Sequence, residues 1–163
     1  LARIRAHRAC RGARWRTIEA PLDIAGALTR SEPADGAILV DCLTLWLANL
    51  MAAGRQPAAE AERLVAALRA AALPVVLVAN EVGLGIVPDN ALARAFRDPA
   101  GRLNQTMAAL ADAVVLKVAG LPLAVKPAAA SAGVTSCGRR SPPRSSPLCG
   151  TGARRCIKAA SPI

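Results

Sequence analysis

Short apolar runs alternate along this chain with longer stretches whose apolar residues recur every three or four positions. Ala37-Ile38-Leu39-Val40 and Val75-Val76-Leu77-Val78 have no polar interruption, a pattern that predicts strands covered on both faces. Residues 113–118 predict a further strand, 15–18 a short earlier one and 121–125 a short edge strand. Helices are predicted between them. Pro21 suits the first turn of a segment reaching Leu28, and a helix over 43–53 is closed by Gly54. Residues 58–72 carry an inward stripe of Ala61, Leu64, Val65, Leu68 and Ala72. Residues 90–110 carry Leu92, Phe96, Leu103 and Met107, with Pro99 expected to bend or divide the helix. Residues 2–11 read as the end of a basic helix stopped at Gly12, and Asp35-Gly36 as a turn. Trp15 and Trp46 are expected in the core.

Strands alternating with helices predict an α/β sheet with crossover helices. Ligands of such sheets bind beyond the carboxyl ends of the strands, where Asp41 and the Asn80-Glu81 pair fall. The alternation stops at Lys126. The predicted organisation is therefore a domain over 1–126 and a tail over 127–163, rich in Pro, Ser, Gly and Arg and expected to be disordered.

Charge sharpens this division. The formal net charge is +10, yet residues 17–126 hold nine basic and eleven acidic groups. The excess lies in six arginines within residues 1–16 and six basic groups within 127–163. With 2% aromatic residues there is no stacking platform for single-stranded bases, so nucleic acid is not an expected partner. No apolar run approaches membrane-spanning length, so no membrane insertion is expected. Five cysteines without a CxxC pair fit unpaired thiols in a reducing cytoplasm. Cys137, Cys149 and Cys156 would need a fourth ligand to hold zinc.

Few residues carry candidate chemistry. His7 sits among arginines, which favour a neutral imidazole able to attack phosphorus; the competing reading is a solvated surface side chain. Asp41 suits Mg²⁺ beside nucleotide phosphates, or equally the capping of the helix that follows. Glu81 reads as a hydrogen-bonding acid for a base or ribose, or as a solvated loop carboxylate. Arg94 is expected either to pair with Asp98 at i,i+4 or to serve a ligand, and Arg97 to reach anionic groups. Gly83 and Gly85 allow close ligand approach, but no GxxxxGK[ST] occurs in the chain.

In order, these pieces resemble one family. Arg3-Ile4-Arg5-Ala6-His7-Arg8 with Arg11, Trp15, Thr17, Glu19 and Pro21 is similar to the RIxxHxxxR…WxTxExP segment of the bifunctional adenosylcobinamide kinase/adenosylcobinamide-phosphate guanylyltransferases. Asp41-Cys42-Leu43-Thr44 with Asn49 and the block from Asn80 to Pro88 resemble two further signatures. Arg94, Phe96-Arg97-Asp98, the run from Ala100 to Gln105 and the run from Val118 to Leu123 extend the likeness through residue 126.

The resemblance implies a P-loop NTPase-like (RecA-like) fold, a homo-oligomer and a cytoplasmic enzyme of cobalamin synthesis. It implies ATP or GTP as phosphoryl donor to adenosylcobinamide, then GTP as guanylyl donor to adenosylcobinamide phosphate, with Mg²⁺ as cofactor. His7 matches the nucleotidylated histidine and Asp41 the carboxylate associated with magnesium and phosphates. Arg3, Arg11, Glu19, Glu81, Arg94 and Arg97 are the expected nucleotide or substrate contacts. Against the family pattern, the chain is expected to lack the first strand and its P-loop, and Pro99 replaces an aliphatic residue. A catalytically impaired fragment retaining an α/β nucleotide-binding shell is the alternative.

Overall fold

The computed structural model describes residues 15–31, 36–128 and 154–158. The expected helix over 2–11 and most of the tail lie outside them. In chain order the elements are β1 (Trp15–Glu19), α1 (Ile24–Thr29), β2 (Ala37–Asp41), α2 (Leu43–Ala52) and α3 (Pro57–Ala70). Then follow β3 (Val75–Val78), α4 (Ala91–Leu110), β4 (Val114–Val118), β5 (Leu121–Lys126) and β6 (Arg154–Lys158). Four strands form a parallel sheet in the order β1-β6-β2-β3, while β4 and β5 form a separate antiparallel pair. The result is a mixed α/β architecture with crossover helices.

The sheet departs from expectation at β6. A tail without structure is not what residues 154–158 form. They enter the sheet between β1 and β2, in parallel with both, and Ile157 is fully buried opposite Ile18 and Val40. Composition pointed elsewhere because Arg-Arg-Cys-Ile-Lys offers one large aliphatic residue. Two strand edges needing hydrogen-bond partners supply what that composition lacks.

β2 and β3 also differ, although both are unbroken apolar runs. Ala37, Ile38 and Val40 are buried, whereas β3 alternates, with Val75 and Leu77 against the core and Val76 and Val78 exposed. Among the described residues β3 is the terminal strand of its sheet. The face carrying Val76 and Val78 is, among the described residues, not covered as the apolar run predicted. Among the described residues β4 pairs only with β5, and Val115 and Val118 are exposed. The β4–β5 connection turns through Ala119 and Gly120, both at positive φ, which matches the right-handed twist of a two-residue hairpin.

The core gathers Ile24, Ile38, Leu43, Trp46, Leu47 and Leu50, together with Leu64, Leu103 and Met107 from the later helices. Trp46 is buried as expected, and its Nε1 donates to Leu22 O at 2.9 Å; Trp15 is only half-buried. Leu92 does not join the stripe of α4, being 72% exposed in its first turn. Ala72 lies past the end of α3 and is exposed. Pro99 does not divide α4, which runs unbroken for 20 residues. Ala95, whose carbonyl loses its helical donor, is exposed to water, while Leu103 and Met107 anchor the turns beyond.

Polar ties secure the helices. Asp23 Oδ1 accepts from Gly26 N at 3.0 Å at the start of α1 and is reached by Arg63 of α3 at 3.5 Å. Lys126 Nζ donates to the carbonyls of Ala108, Ala109 and Ala111, satisfying the carboxyl end of α4. No described helix is long and apolar enough to cross a membrane.

Candidate functional site

Asp41 closes β2 opposite Val78, the last residue of β3. The two strands thus end level, and the segments leaving them share one rim of the sheet. Asp41 is half-buried there, and the Asp41–Cys42 peptide bond is cis. The N-cap position of α2 falls one residue beyond Asp41. Cys42 is the N-cap of α2, its Sγ accepting from Leu45 N at 3.5 Å.

Beyond β3 the chain is held by side chains rather than by a ladder. Asn80 N donates to Thr44 Oγ1 at 2.7 Å, and Asn104 Nδ2 donates to Asn80 O at 3.3 Å. Glu81 folds over the next turn, its Oε1 accepting from Gly83 N at 2.6 Å. A Cβ added to Gly83 would lie 2.8 Å from that same oxygen, so a side chain here would displace the Glu81 carboxylate from this bond.

The two arginines of α4 grip the loop. Arg97 Nη2 donates to Gly83 O at 2.8 Å and Gly85 O at 3.4 Å. Arg94 Nη1 donates to Pro88 O at 2.9 Å and to Asp89 O. Arg94 therefore turns to the loop and not to Asp98. Asn90 Oδ1 caps α4 by accepting from Leu92 N at 2.8 Å and Ala93 N at 3.2 Å.

This arrangement leaves a largely apolar cleft of about 720 Å³ between α2 and α4, walled by Met51, Val82, Pro88, Leu92, Phe96 and Arg97. Leu84 and Ile86 are exposed on the loop, Ile86 at 97%. A second groove of about 790 Å³ runs by Trp46, Val65 and Leu103. Among the described residues none of the expected site residues lines it, whereas Arg97 lines the cleft beside the loop, which is the better candidate.

Of the expected site residues, Asp41 ends β2 and Glu81 follows the end of the adjacent β3, while Arg94 and Arg97 join Glu81 in building the loop. Glu19 ends β1, two strands away from β2 in the sheet order, and is exposed. Arg3, His7 and Arg11 lie outside the described residues. Among the described residues no group of three or more His, Cys, Asp or Glu side chains gathers to cage a metal. The sequence reading missed the holding roles of Thr44 and Asn104. Their pairing with Asn80 spans 36 and 24 residues and has no local pattern.

Fold and site define an α/β protein whose polar residues collect at the carboxyl ends of parallel strands, the ligand-binding rim of that class. The family model described as cobinamide kinase / cobinamide phosphate guanyltransferase matches residues 1–125, and the chain belongs to that family of cobalamin-biosynthesis transferases. It is 44% identical over 126 residues to the bifunctional adenosylcobalamin biosynthesis protein CobP of Pseudomonas aeruginosa, covering 76% of this chain and 73% of that one. It is 41% identical over 140 residues to the bifunctional adenosylcobalamin biosynthesis protein CobU of Salmonella typhimurium, and 37% identical over 140 residues to that of Escherichia coli. Each of these matches covers 77% of both chains. β6 lies outside the residues the family model matches.

Proposed function

We propose that this chain transfers GMP from GTP to adenosylcobinamide phosphate through a guanylylated His7, coupled in the family enzyme to phosphorylation of adenosylcobinamide by ATP or GTP. The observation carrying this reading is the family match, which spans His7, Asp41, Glu81 and the expected arginines. The neutral His7 imidazole attacks the α-phosphorus of GTP, a phosphorus–nitrogen bond forms, and pyrophosphate leaves as the α–β bridging bond breaks. A phosphate oxygen of adenosylcobinamide phosphate then attacks that phosphorus. The phosphorus–nitrogen bond breaks, releasing adenosylcobinamide-GDP and restoring the histidine. In the kinase step the aminopropanol hydroxyl attacks the γ-phosphorus, loses its proton and displaces the nucleoside diphosphate.

Asp41 is the residue suited to hold Mg²⁺, which needs only one or two carboxylates when waters and phosphate oxygens complete its shell. Bound there, the ion supplies charge neutralisation on the phosphates. Arg3 and Arg11 would bind triphosphate oxygens, and Glu19 and Glu81 hydroxyl or amino groups of nucleotide or substrate. Arg94 and Arg97 keep further N–H donors beyond those spent on the loop. The apolar cleft beside that loop offers a wall for the hydrocarbon surface of a corrinoid. Homo-oligomeric assembly and a cytoplasmic location belong to the same proposal.

A second reading, a catalytically impaired nucleotide-binding shell, is favoured by β6, because a strand from outside the family match sits inside the sheet. One experiment separates the two. The chain is incubated with Mg²⁺ and GTP labelled at the α-phosphate, and any acid-labile adduct is mapped. A labelled His7 that is absent from His7→Ala supports the transferase. No adduct in a folded sample, or one that survives the substitution, overturns it, and folding without GTP binding favours the shell.

A further inference from the structure

We infer that Thr44 and Asn104 are positioning residues that latch Asn80 from two sides and so set Glu81 for nucleotide binding, an inference that rests on the nucleotide reading of Glu81 above. β3 ends at Val78, so no ladder hydrogen bond fixes the chain at Asn80. Both main-chain groups of Asn80 are instead held by side chains, its N–H by Thr44 Oγ1 at 2.7 Å and its carbonyl by Asn104 Nδ2 at 3.3 Å. Each holder comes from a different helix.

Their placement follows from the local chain. Thr44 stands three residues after Asp41, in the first turn of α2, where the Cys42 cap sets the helix start. It therefore ties the segment leaving β2 to the segment leaving β3. Asn104 follows the buried Leu103 on α4, whose inward face is anchored again at Met107. Arg97 lies seven residues earlier, two turns along the same helix face, and holds Gly83 O at 2.8 Å. α4 thus grips the loop on both sides of Glu81. The Glu81 carboxylate spends one bond on Gly83 N at 2.6 Å and retains acceptor capacity for a ligand donor. Without the latch, Asn80 exchanges two protein partners for water and Glu81 samples a wider set of positions before ligand binds, a cost that appears in apparent affinity.

The test uses the full chain, three single variants and one double variant. Thr44→Val keeps the side-chain shape and removes the acceptor, Thr44→Ser restores it, and Glu81→Gln removes the charge. Amide hydrogen exchange at Asn80 is expected to run about tenfold faster in Thr44→Val than in the parent and Thr44→Ser, in line with one lost hydrogen bond. The GTP concentration half-saturating His7 labelling is expected to rise about tenfold in Thr44→Val, with the maximal rate within about twofold. Thr44→Ser is expected to match the parent, and adding Thr44→Val to Glu81→Gln to bring no further rise.

Equal exchange in parent and Thr44→Val overturns the latch. A shift in Glu81→Gln without one in Thr44→Val, or full additivity of the two, overturns the positioning role. An unchanged half-saturation in Glu81→Gln overturns the nucleotide reading of Glu81 and with it the positioning role, while exchange at Asn80 still decides the latch.

Discussion

Ile157 of β6 lies opposite Val40 of β2, and both side chains are fully buried. More than a hundred residues separate them in sequence. Ile157→Ala is expected to destabilise the fold by about 2–5 kcal/mol, the range for truncating a buried aliphatic residue. Leu121→Ala, at a residue 72% exposed on the β4–β5 hairpin, is expected to stay within about 0.5 kcal/mol. Urea unfolding of the two variants checks both values, and equal midpoints would remove β6 from the sheet.

Trp46 combines burial with a hydrogen bond to the carbonyl of Leu22. Trp46→Phe keeps most of the apolar surface but leaves that carbonyl without its donor, an expected loss of about 1–3 kcal/mol. Trp46→Ala should lose about 3–5 kcal/mol. Thermal unfolding of the pair should rank them in that order.

Glu60 is buried on α3 and is bonded by Arg55 and, at 2.9 Å, by Arg63. Both arginines retain substantial solvent contact, so neither is stranded when the carboxylate is removed. Glu60→Gln is expected to cost about 1–2 kcal/mol, and Arg63→Ala at most about 1 kcal/mol. Added salt should reduce the second effect more than the first, as denaturation at low and high ionic strength would reveal.

Asp41 and the cap of α2 are separate residues, which makes the carboxylate testable without loss of the helix. Asp41→Asn keeps the side-chain size and an acceptor oxygen, so the variant is expected to remain folded. GTP-dependent labelling of His7 should fall by about a hundredfold, the scale of losing one electrostatic stabiliser. A variant that labels normally would remove Asp41 from the proposed site.

Arg97 holds two carbonyls of the Gly83–Gly85 turn. Arg97→Ala is expected to raise the rate of limited proteolysis within 82–88 about tenfold, with little change in global unfolding. Proteolysis follows local opening, and a charged donor to a carbonyl contributes roughly 1.5 kcal/mol to keeping it closed. Lysine at this position should recover only part of the protection, since one ammonium does not reproduce the guanidinium fork.

Much of this was legible in sequence because it was local. Unbroken apolar runs mark β2 and β3, helical spacing marks α3 and α4, and the signatures around Asp41 and Asn80 mark a candidate site at the strand ends. The exposed faces of β3 and β4 were not legible. An apolar run looks the same whether one or both of its faces find a neighbour.

Sequence by itself determined the family and the order of the described strands and helices between residues 15 and 126, and it proposed the candidate site residues. Those depend on propensity, periodicity and motif, which are properties of neighbouring residues. Tertiary structure alone decided that β6 joins the sheet, that Cys42 and not Asp41 caps α2, and that Thr44 and Asn104 converge on Asn80. The first and the last of these turn on backbone groups finding partners through space, and a hydrogen bond between distant residues leaves no spacing to read; the choice of cap turns on where β2 ends, since it runs through Asp41.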